Sequence, residues 1–286
     1  MLSSHASDIS KDVAAIGAQS KFVDLDGLTT HYIEAGEGPL LVLVHGGGAG
    51  ADSWGNWRSC LSAYARKFRV IAYDMPGFGR TAKPDPSVYD YGQEARNRHL
   101  TALIRHLNHA APAHLIGNSM GGATALGVAM TAPDLVRKLV LMGSAGLGIS
   151  NPDPEAMRPF AAYDYSIEAM RTIMEHLGGP RFQFDEQLLQ YRHALMQEPA
   201  ARAAIDVIKR SKLTYTSEQI ASVKAPTLVV GGKADKVAIL ARTYGYLELL
   251  ENSWGFVLPH VGHWAMMESP REFVAITTAF FDEELF

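Results

Sequence analysis

Apolar positions along this chain follow two alternating periods. Short, nearly unbroken runs rich in Val, Ile and Leu lie at 40–44, 70–73, 114–116, 139–142, 227–230 and 256–258. Most are closed by Gly or Asp, and runs this short and continuous predict strands buried on both faces, the habit of a parallel sheet. Ahead of them, segments 22–25 and 30–34 flank Asp26-Gly27, a turn signal that predicts an opening hairpin. Between the runs the period becomes helical. Leu100, Leu103, Ile104 and Leu107 repeat at i, i+3, i+4 and i+7. Near the end, Ser269-Pro270-Arg271-Glu272 predicts a capping box with Pro in the first turn, followed by a stripe of Phe273, Ile276 and Phe280. Strand alternating with helix predicts the α/β class, with a mostly parallel, doubly wound sheet.

The alternation stops between residues 148 and 222, which read as helices only. One helix runs from Ser166 to Leu177 and stops at Gly178-Gly179; a second starts at Asp185 and a third follows Pro199. An all-helical insertion inside an α/β pattern predicts a lid over the site that the sheet builds. The expected organisation is a core domain in two pieces, 21–147 and 223–286, interrupted by a helical lid at 148–222. The first 20 residues read as a weakly ordered arm.

Composition narrows the classes. With 286 residues, 47% hydrophobic and 20% charged, the chain can build a large core, which excludes a disordered protein. Its formal net charge is −4 and no basic block stands out, so the footprint of a nucleic-acid binder is missing. The single cysteine, Cys60, excludes an internal disulfide and reads as a packed core thiol. No apolar run approaches the ~18 residues of a membrane span, and the start lacks a basic region followed by an apolar stretch. The expectation is a soluble, cytoplasmic protein with neither nucleic acid nor membrane as partner.

Gly117-Asn118-Ser119-Met120-Gly121 follows a predicted strand and precedes a helical run. That is the G-x-S-x-G elbow in the strand–turn–helix context its tight turn requires. Small neighbours let the backbone strain around Ser119, and the following helix N-terminus favours negative charge there. His45-Gly46-Gly47-Gly48 directly follows the first long strand. A loop of this kind supplies one oxyanion N–H, with the second from the residue after the nucleophile, Met120. A phosphate cradle is the other reading, but no G-x-x-x-x-G-K-[ST] accompanies it. Serine needs a base, and the base an orienter. His263, in Gly262-His263-Trp264 after the last strand, is the leading base, with His260 as competitor. Asp235, after the run 227–230, is the leading acid, and the order Ser119, Asp235, His263 is the hydrolase order. Asp74 also ends a strand and reads as structural. Arg192 falls in the middle of an apolar stripe of Leu188, Leu189, Leu195 and Met196. A guanidinium there needs an anion. One reading is a local ion pair or snorkelling; the other is a clamp for a substrate carboxylate. Asn56 and Asn118 are further candidate polar contacts.

These segments resemble the alpha/beta-hydrolase fold, and more narrowly the meta-cleavage-product hydrolases, serine hydrolases that cleave carbon–carbon bonds in aromatic degradation. The resemblance runs from about Lys21 to Phe281 and rests on His45-Gly46-Gly47-Gly48, on Gly117 to Thr124, on Leu141-Met142-Gly143 and on Gly262-His263-Trp264-Ala265. Gly55-Asn56-Trp57-Arg58, Gly143-Ser144-Ala145-Gly146 and Ser253-Trp254-Gly255 are similar to the branch acting on carbazole-type aminophenyl compounds. The resemblance implies a triad of Ser119, His263 and Asp235, and an oxyanion hole at Gly47 and Met120. It implies that Arg192 holds the carboxylate of a dienoate, with Asn118, Asn56, Trp264 and Gly46 lining the site. It also implies no metal or organic cofactor, a small aromatic dienoate as partner, and a homo-oligomer. Three positions depart from the family pattern: Ala49 in place of Pro, Ala234 in place of Asp, and no Pro after Val237. The implied reaction is hydrolysis of a 2-hydroxy-6-oxo-6-arylhexa-2,4-dienoate to 2-hydroxypenta-2,4-dienoate and an aromatic acid. A carboxylesterase or lactonase with the same triad, and a ligand-binding protein on a hydrolase scaffold, are the alternatives.

Overall fold

The computed structural model describes residues 8–107 and 111–282. An eight-stranded sheet organises them. Its strands are β1 (Gln19–Leu25), β2 (Leu28–Ala35), β3 (Leu40–Val44), β4 (Arg69–Tyr73), β5 (Ala113–Asn118), β6 (Val136–Met142), β9 (Thr227–Gly232) and β10 (Ser253–Leu258), in spatial order β1-β2-β4-β3-β5-β6-β9-β10. The β1–β2 and β2–β4 pairings are antiparallel and all the others parallel. The predicted hairpin turns at Asp26 and Gly27, both at positive φ (54° and 82°), with Leu25 opposite Leu28. Every residue of β3 and β5 is buried, which is why β3 is apolar throughout and β5 carries Leu115 and Ile116 at its centre. In β10 only Leu258 is buried, because the strand forms the sheet edge and no strand among the described residues pairs with its outer side.

Strand order places the site. From β3 the chain moves outward to β4, then returns to lay β5 on the other flank of β3. The loops leaving β3 and β5 therefore diverge at a topological switch point, where open α/β sheets hold their ligands. Helices α2 (Ser53–Tyr64) and α12 (Pro270–Phe281) pack together, as do α3 (Gln93–Leu107) and α4 (Met120–Thr131), and the two pairs cover the sheet. The α3 stripe buries Leu100, Leu103 and Ile104 as its period predicts. Cys60 is fully buried in α2, its thiol donating to the Met266 carbonyl at 3.2 Å.

Three expectations need correction. The opening residues are not all a loose arm: α1 (Ser10–Ala15) is helical, Ile9 and Val13 are buried, and β1 already starts at Gln19. Burying two aliphatic side chains is what holds so short a helix; residues 1–7 of the expected arm lie outside the described residues. The inserted segment is not purely helical. It holds α5 (Arg158–Ala161), α6 (Ile167–Leu177), α7 (Glu186–Leu195), α8 (Pro199–Ile208) and α9 (Ser217–Ala221), but β8 (Thr214–Tyr215) pairs with β7 (Gly146–Leu147). The Tyr215 hydroxyl donates to the Ala123 carbonyl at 3.0 Å and pins this strand to α4. The capping box at Ser269 and Glu272 does not form. Arg181, from the inserted segment, donates to Ser269 Oγ at 2.9 Å and to Glu272 Oε1 at 3.1 Å, and so engages both residues.

Candidate active site

Ser119 occupies the sharp turn between β5 and α4 at φ 53° and ψ −118°, a strained conformation for a residue with a side chain. Its neighbours are glycines for steric reasons. A Cβ on Gly121 would come 2.3 Å from the carbonyl oxygens of Val44 and His45, and one on Gly117 2.5 Å from the Gly121 oxygen. The turn is held by Ser119 N–H donating to Met142 O at 3.0 Å and Ala145 N–H donating to Ser119 O at 2.9 Å. Met120 opens α4, so its N–H has no acceptor within the helix. Gly47 lies against it; a Cβ there would meet Met120 Sδ at 2.7 Å.

The loop after β3 is set by His45, which is fully buried. Its Nε2 accepts from Met75 N–H at 3.0 Å, so Nδ1 carries the proton and donates to Gly46 O at 2.7 Å. Burial lowers the ring's pKa to about 4, against the pull of Asp74, so the imidazole is neutral.

His263 follows β10 and Asp235 follows β9. Both are buried, with His263 Nδ1 2.7 Å from Asp235 Oδ2. The second carboxylate oxygen accepts the N–H groups of Val237 and Ala238, each at 2.8 Å. Ala238 stands where Pro was expected, and a proline would lack that donor. Burial opposes the Asp235 charge, but His263 and the two amides outweigh it and hold the pKa below the ordinary aspartate value. His260 is exposed, at positive φ, and does not face the site. Asp74 serves elsewhere: it binds His31 Nδ1, Ser53 N–H and Arg80 N–H at 2.7–2.8 Å.

A cavity of about 490 Å³ opens at the switch point. Ser119, His263, Gly46, Gly47 and Met120 line it, joined by Asn56, Asn118, Arg192 and Trp264. Asp235 lies behind His263 and off the cavity wall. Arg192 is 1% exposed. Its Nη2 donates to Ala49 O at 2.8 Å, and its guanidinium carbon sits 5.3 Å from the Trp264 ring centre. Nε and Nη1 have no partner among the described residues, and no carboxylate pairs with the side chain. Burial brings its pKa down to about 10, with Asp52 opposing, and it remains a cation at neutral pH. The ion-pair and snorkelling readings of Arg192 therefore both fail. Asn56 also keeps a buried Oδ1 without a partner among the described residues, while its Nδ2 donates to Asn118 Oδ1 at 3.4 Å. Asn118 in turn braces Met142 O at 3.2 Å and His263 O at 3.4 Å.

A profile of the alpha/beta hydrolase family matches residues 41–276. The chain belongs to the alpha/beta hydrolase family. This hydrolase is 43% identical over 265 residues to the 2-hydroxy-6-oxo-6-(2'-aminophenyl)hexa-2,4-dienoic acid hydrolase of Metapseudomonas resinovorans, covering 91% of this chain and 90% of that protein. It is 32% identical over 272 residues to the 2-hydroxy-6-oxo-6-phenylhexa-2,4-dienoate hydrolase of Comamonas testosteroni, covering 90% and 94%. It is also similar to the crystal structure of a serine hydrolase involved in carbazole degradation, with TM-score 0.85, 40% identity, and 93% and 99% of the two chains covered. The resemblance to meta-cleavage-product hydrolases drawn from the motifs is borne out.

The hydrolase's cavity also has walls that no motif announced. Met157, Phe160 and Leu177 come from the inserted segment, as do Ile208 and Leu213, while Val237 comes from the Asp235 loop. Their apolar character was visible in the sequence, but no spacing rule distinguishes cavity wall from core. Among the described residues, no helix is long and apolar enough to cross a membrane.

Proposed function

We propose that this hydrolase cleaves the C5–C6 bond of a 2-hydroxy-6-oxo-6-arylhexa-2,4-dienoate, releasing 2-hydroxypenta-2,4-dienoate and an aromatic acid. One observation carries the reading: a fully buried arginine with two donors unspent among the described residues lines the same apolar cavity as Ser119 and His263. A neutral ester leaves that charge without an anion, whereas a dienoate brings a carboxylate and an apolar body in one molecule. The similarity to the 2'-aminophenyl and phenyl dienoate hydrolases supports the same substrate class.

Arg192 binds the carboxylate, beside Asn56, Asn118, Gly46 and Trp264, and draws electron density as the dienol ketonises, its 2-hydroxyl giving up a proton and C5 taking one up. Ser119 Oγ then attacks C6 while its proton passes to His263, whose cationic form Asp235 stabilises. The oxyanion at C6 is held by the N–H groups of Gly47 and Met120. Collapse breaks C5–C6. The electron pair leaves as a dienolate, which takes the proton from His263 and departs as the hydroxydienoate. Water, deprotonated by His263, cleaves the acyl–serine ester, and the proton returns to Ser119. Residues 148–222 act as a lid over a core made of 21–147 and 223–286. The reading includes a cytoplasmic homo-oligomer, to be checked by fractionation and sedimentation.

The test mixes purified protein with the yellow ring-fission products of 2'-aminobiphenyl-2,3-diol and biphenyl-2,3-diol. Bleaching by wild type is expected, with a loss on the order of 10³-fold or more in Ser119→Ala. Arg192→Ala should cripple bleaching and spare p-nitrophenyl acetate. Persistent colour beside rapid ester cleavage would replace the reading with a carboxylesterase.

A further inference from the structure

Glu268 ends α11 (Ala265–Glu268) and is buried, yet its carboxylate meets no cation among the described residues. Its side chain turns back to the loop that carries His263. It accepts the Gly262 N–H at 2.9 and 3.1 Å and the Trp264 N–H at 3.2 Å, the amides on either side of His263. A third N–H comes from Gly179, just past the end of α6, at 2.9 Å. His263's own N–H donates to Leu177 O, the last residue of α6, at 2.8 Å. The two backbones are in close contact: a Cβ on Gly262 would come 2.4 Å from Gly179 N. Three consecutive amides, 262 to 264, thus end on one carboxylate and one helix terminus.

Burying a carboxylate is costly unless several donors surround it. Here burial lifts the Glu268 pKa above the ordinary glutamate value, although the Gly262, Gly179 and Trp264 amides pull the other way. A glutamine of the same shape would avoid that cost. The anion's distinctive capacity is to accept several N–H groups at once, and the groups it accepts are those flanking His263.

We propose that Glu268 is a positioning residue for His263: it fixes the loop 262–264 against the end of α6 and so keeps the base in register with Ser119 and Asp235. The proposal rests on the reading above in which His263 is the base.

The experiment uses Glu268→Ala and Glu268→Gln in the full chain, with active sites titrated by a fluorophosphonate. For both variants kcat on the aryl dienoate should fall on the order of 10–100-fold, since small misplacements of a reacting group cost that much. KM should stay within about twofold, because Arg192 is untouched. Hydrolysis of p-nitrophenyl acetate should fall by the same factor. The downfield proton resonance of His263 Nδ1, bonded to Asp235, should move or broaden. A wild-type kcat per titrated site with an unmoved resonance would overturn the proposal and leave Glu268 a fold-holding group. Should the alanine variant fail to fold, the isosteric glutamine carries the test. Absence of dienoate turnover in the wild type would instead overturn the proposed reaction, and the resonance and the ester would still decide Glu268.

Discussion

The side chain of His45 has both ring nitrogens engaged, one accepting from Met75 N–H and one donating to Gly46 O. In a trans peptide the carbonyl and the following N–H point in opposite directions. Holding the Gly46 carbonyl therefore aims the Gly47 N–H, one of the proposed oxyanion donors, away from His45. A His45→Phe variant keeps the volume and loses both bonds. Orphaning Met75 N–H should cost roughly 1–3 kcal/mol of stability. If Gly47 swings, kcat should drop on the order of 10²-fold, as for loss of an oxyanion donor. KM for the dienoate should not change. Melting and steady-state kinetics read the two effects separately, and an intact kcat would remove His45 from the account of the oxyanion loop. At this scale the sequence was most legible where a residue contradicts its surroundings. Arg192 stood out because a cation interrupts an apolar stripe. Glu268 did not, because a glutamate ahead of Ser-Pro looks like any helix-end acid, and its partners are backbone amides that leave no trace in side-chain pattern.

Among the elements, α7 matters because it carries Arg192. Its N-cap Asp185 binds Arg58 of α2 at 2.7 Å, and Tyr191 donates its hydroxyl to Asp52, the N-cap of α2. Burial, followed by the nearby charge of Asp74, lifts the Asp52 pKa well above the usual aspartate range, with Tyr191, the Gly55 amide and Arg192 opposing. The folded chain then binds a proton more tightly there than the unfolded chain does. Asp52's contribution to stability is thus fully present below the ordinary aspartate pKa of about 4 and is lost as pH rises through its raised folded value. Asp74 works in the opposite sense. Burial opposes its charge, but His31 and backbone donors hold its pKa far below 3.8, so its contribution is lost only in strong acid. The melting temperature of Asp52→Asn should therefore rise relative to that of the wild type as pH climbs from about 5 toward 8. Parallel melting curves for the two proteins across that range would contradict the assignment. The elements themselves were largely readable: β3 is an unbroken apolar run, and β5 and β6 carry shorter ones at Leu115–Ile116 and Leu139–Met142, because both faces are covered there. Two of the failures share a cause. β8 and the missing cap at Ser269 depend on partners tens of residues away, Ala123 and Arg181, which local pattern does not report.

On the scale of the whole molecule, the cavity exists only where the carboxyl ends of the strands meet the inserted helices. The residues proposed for its chemistry were legible, because they lie in loops of fixed context; its size was not, because the walls at Met157, Phe160 and Leu213 are brought in by packing across the inserted segment. Substrate range should therefore respond to wall residues without disturbing the chemistry, and Val237 is the cleanest place to ask. Its N–H holds Asp235 through the main chain at 2.8 Å, a bond that survives any non-proline substitution, and the residue lines the cavity. In the proposed binding mode, with the carboxylate at Arg192 and C6 at Ser119, the C6 substituent extends past the reacting carbon, away from Arg192. Val237→Phe should then crowd an aryl group and spare a methyl. Pocket discrimination of this kind is worth about 10–200-fold, so kcat/KM for the 6-phenyl dienoate should fall by that factor relative to the 6-methyl compound. Equal losses on both substrates would show that the substitution had disturbed the Asp235 loop. Unchanged rates on both would place the aryl group against another wall, with Leu213 and Phe160 the next to be enlarged.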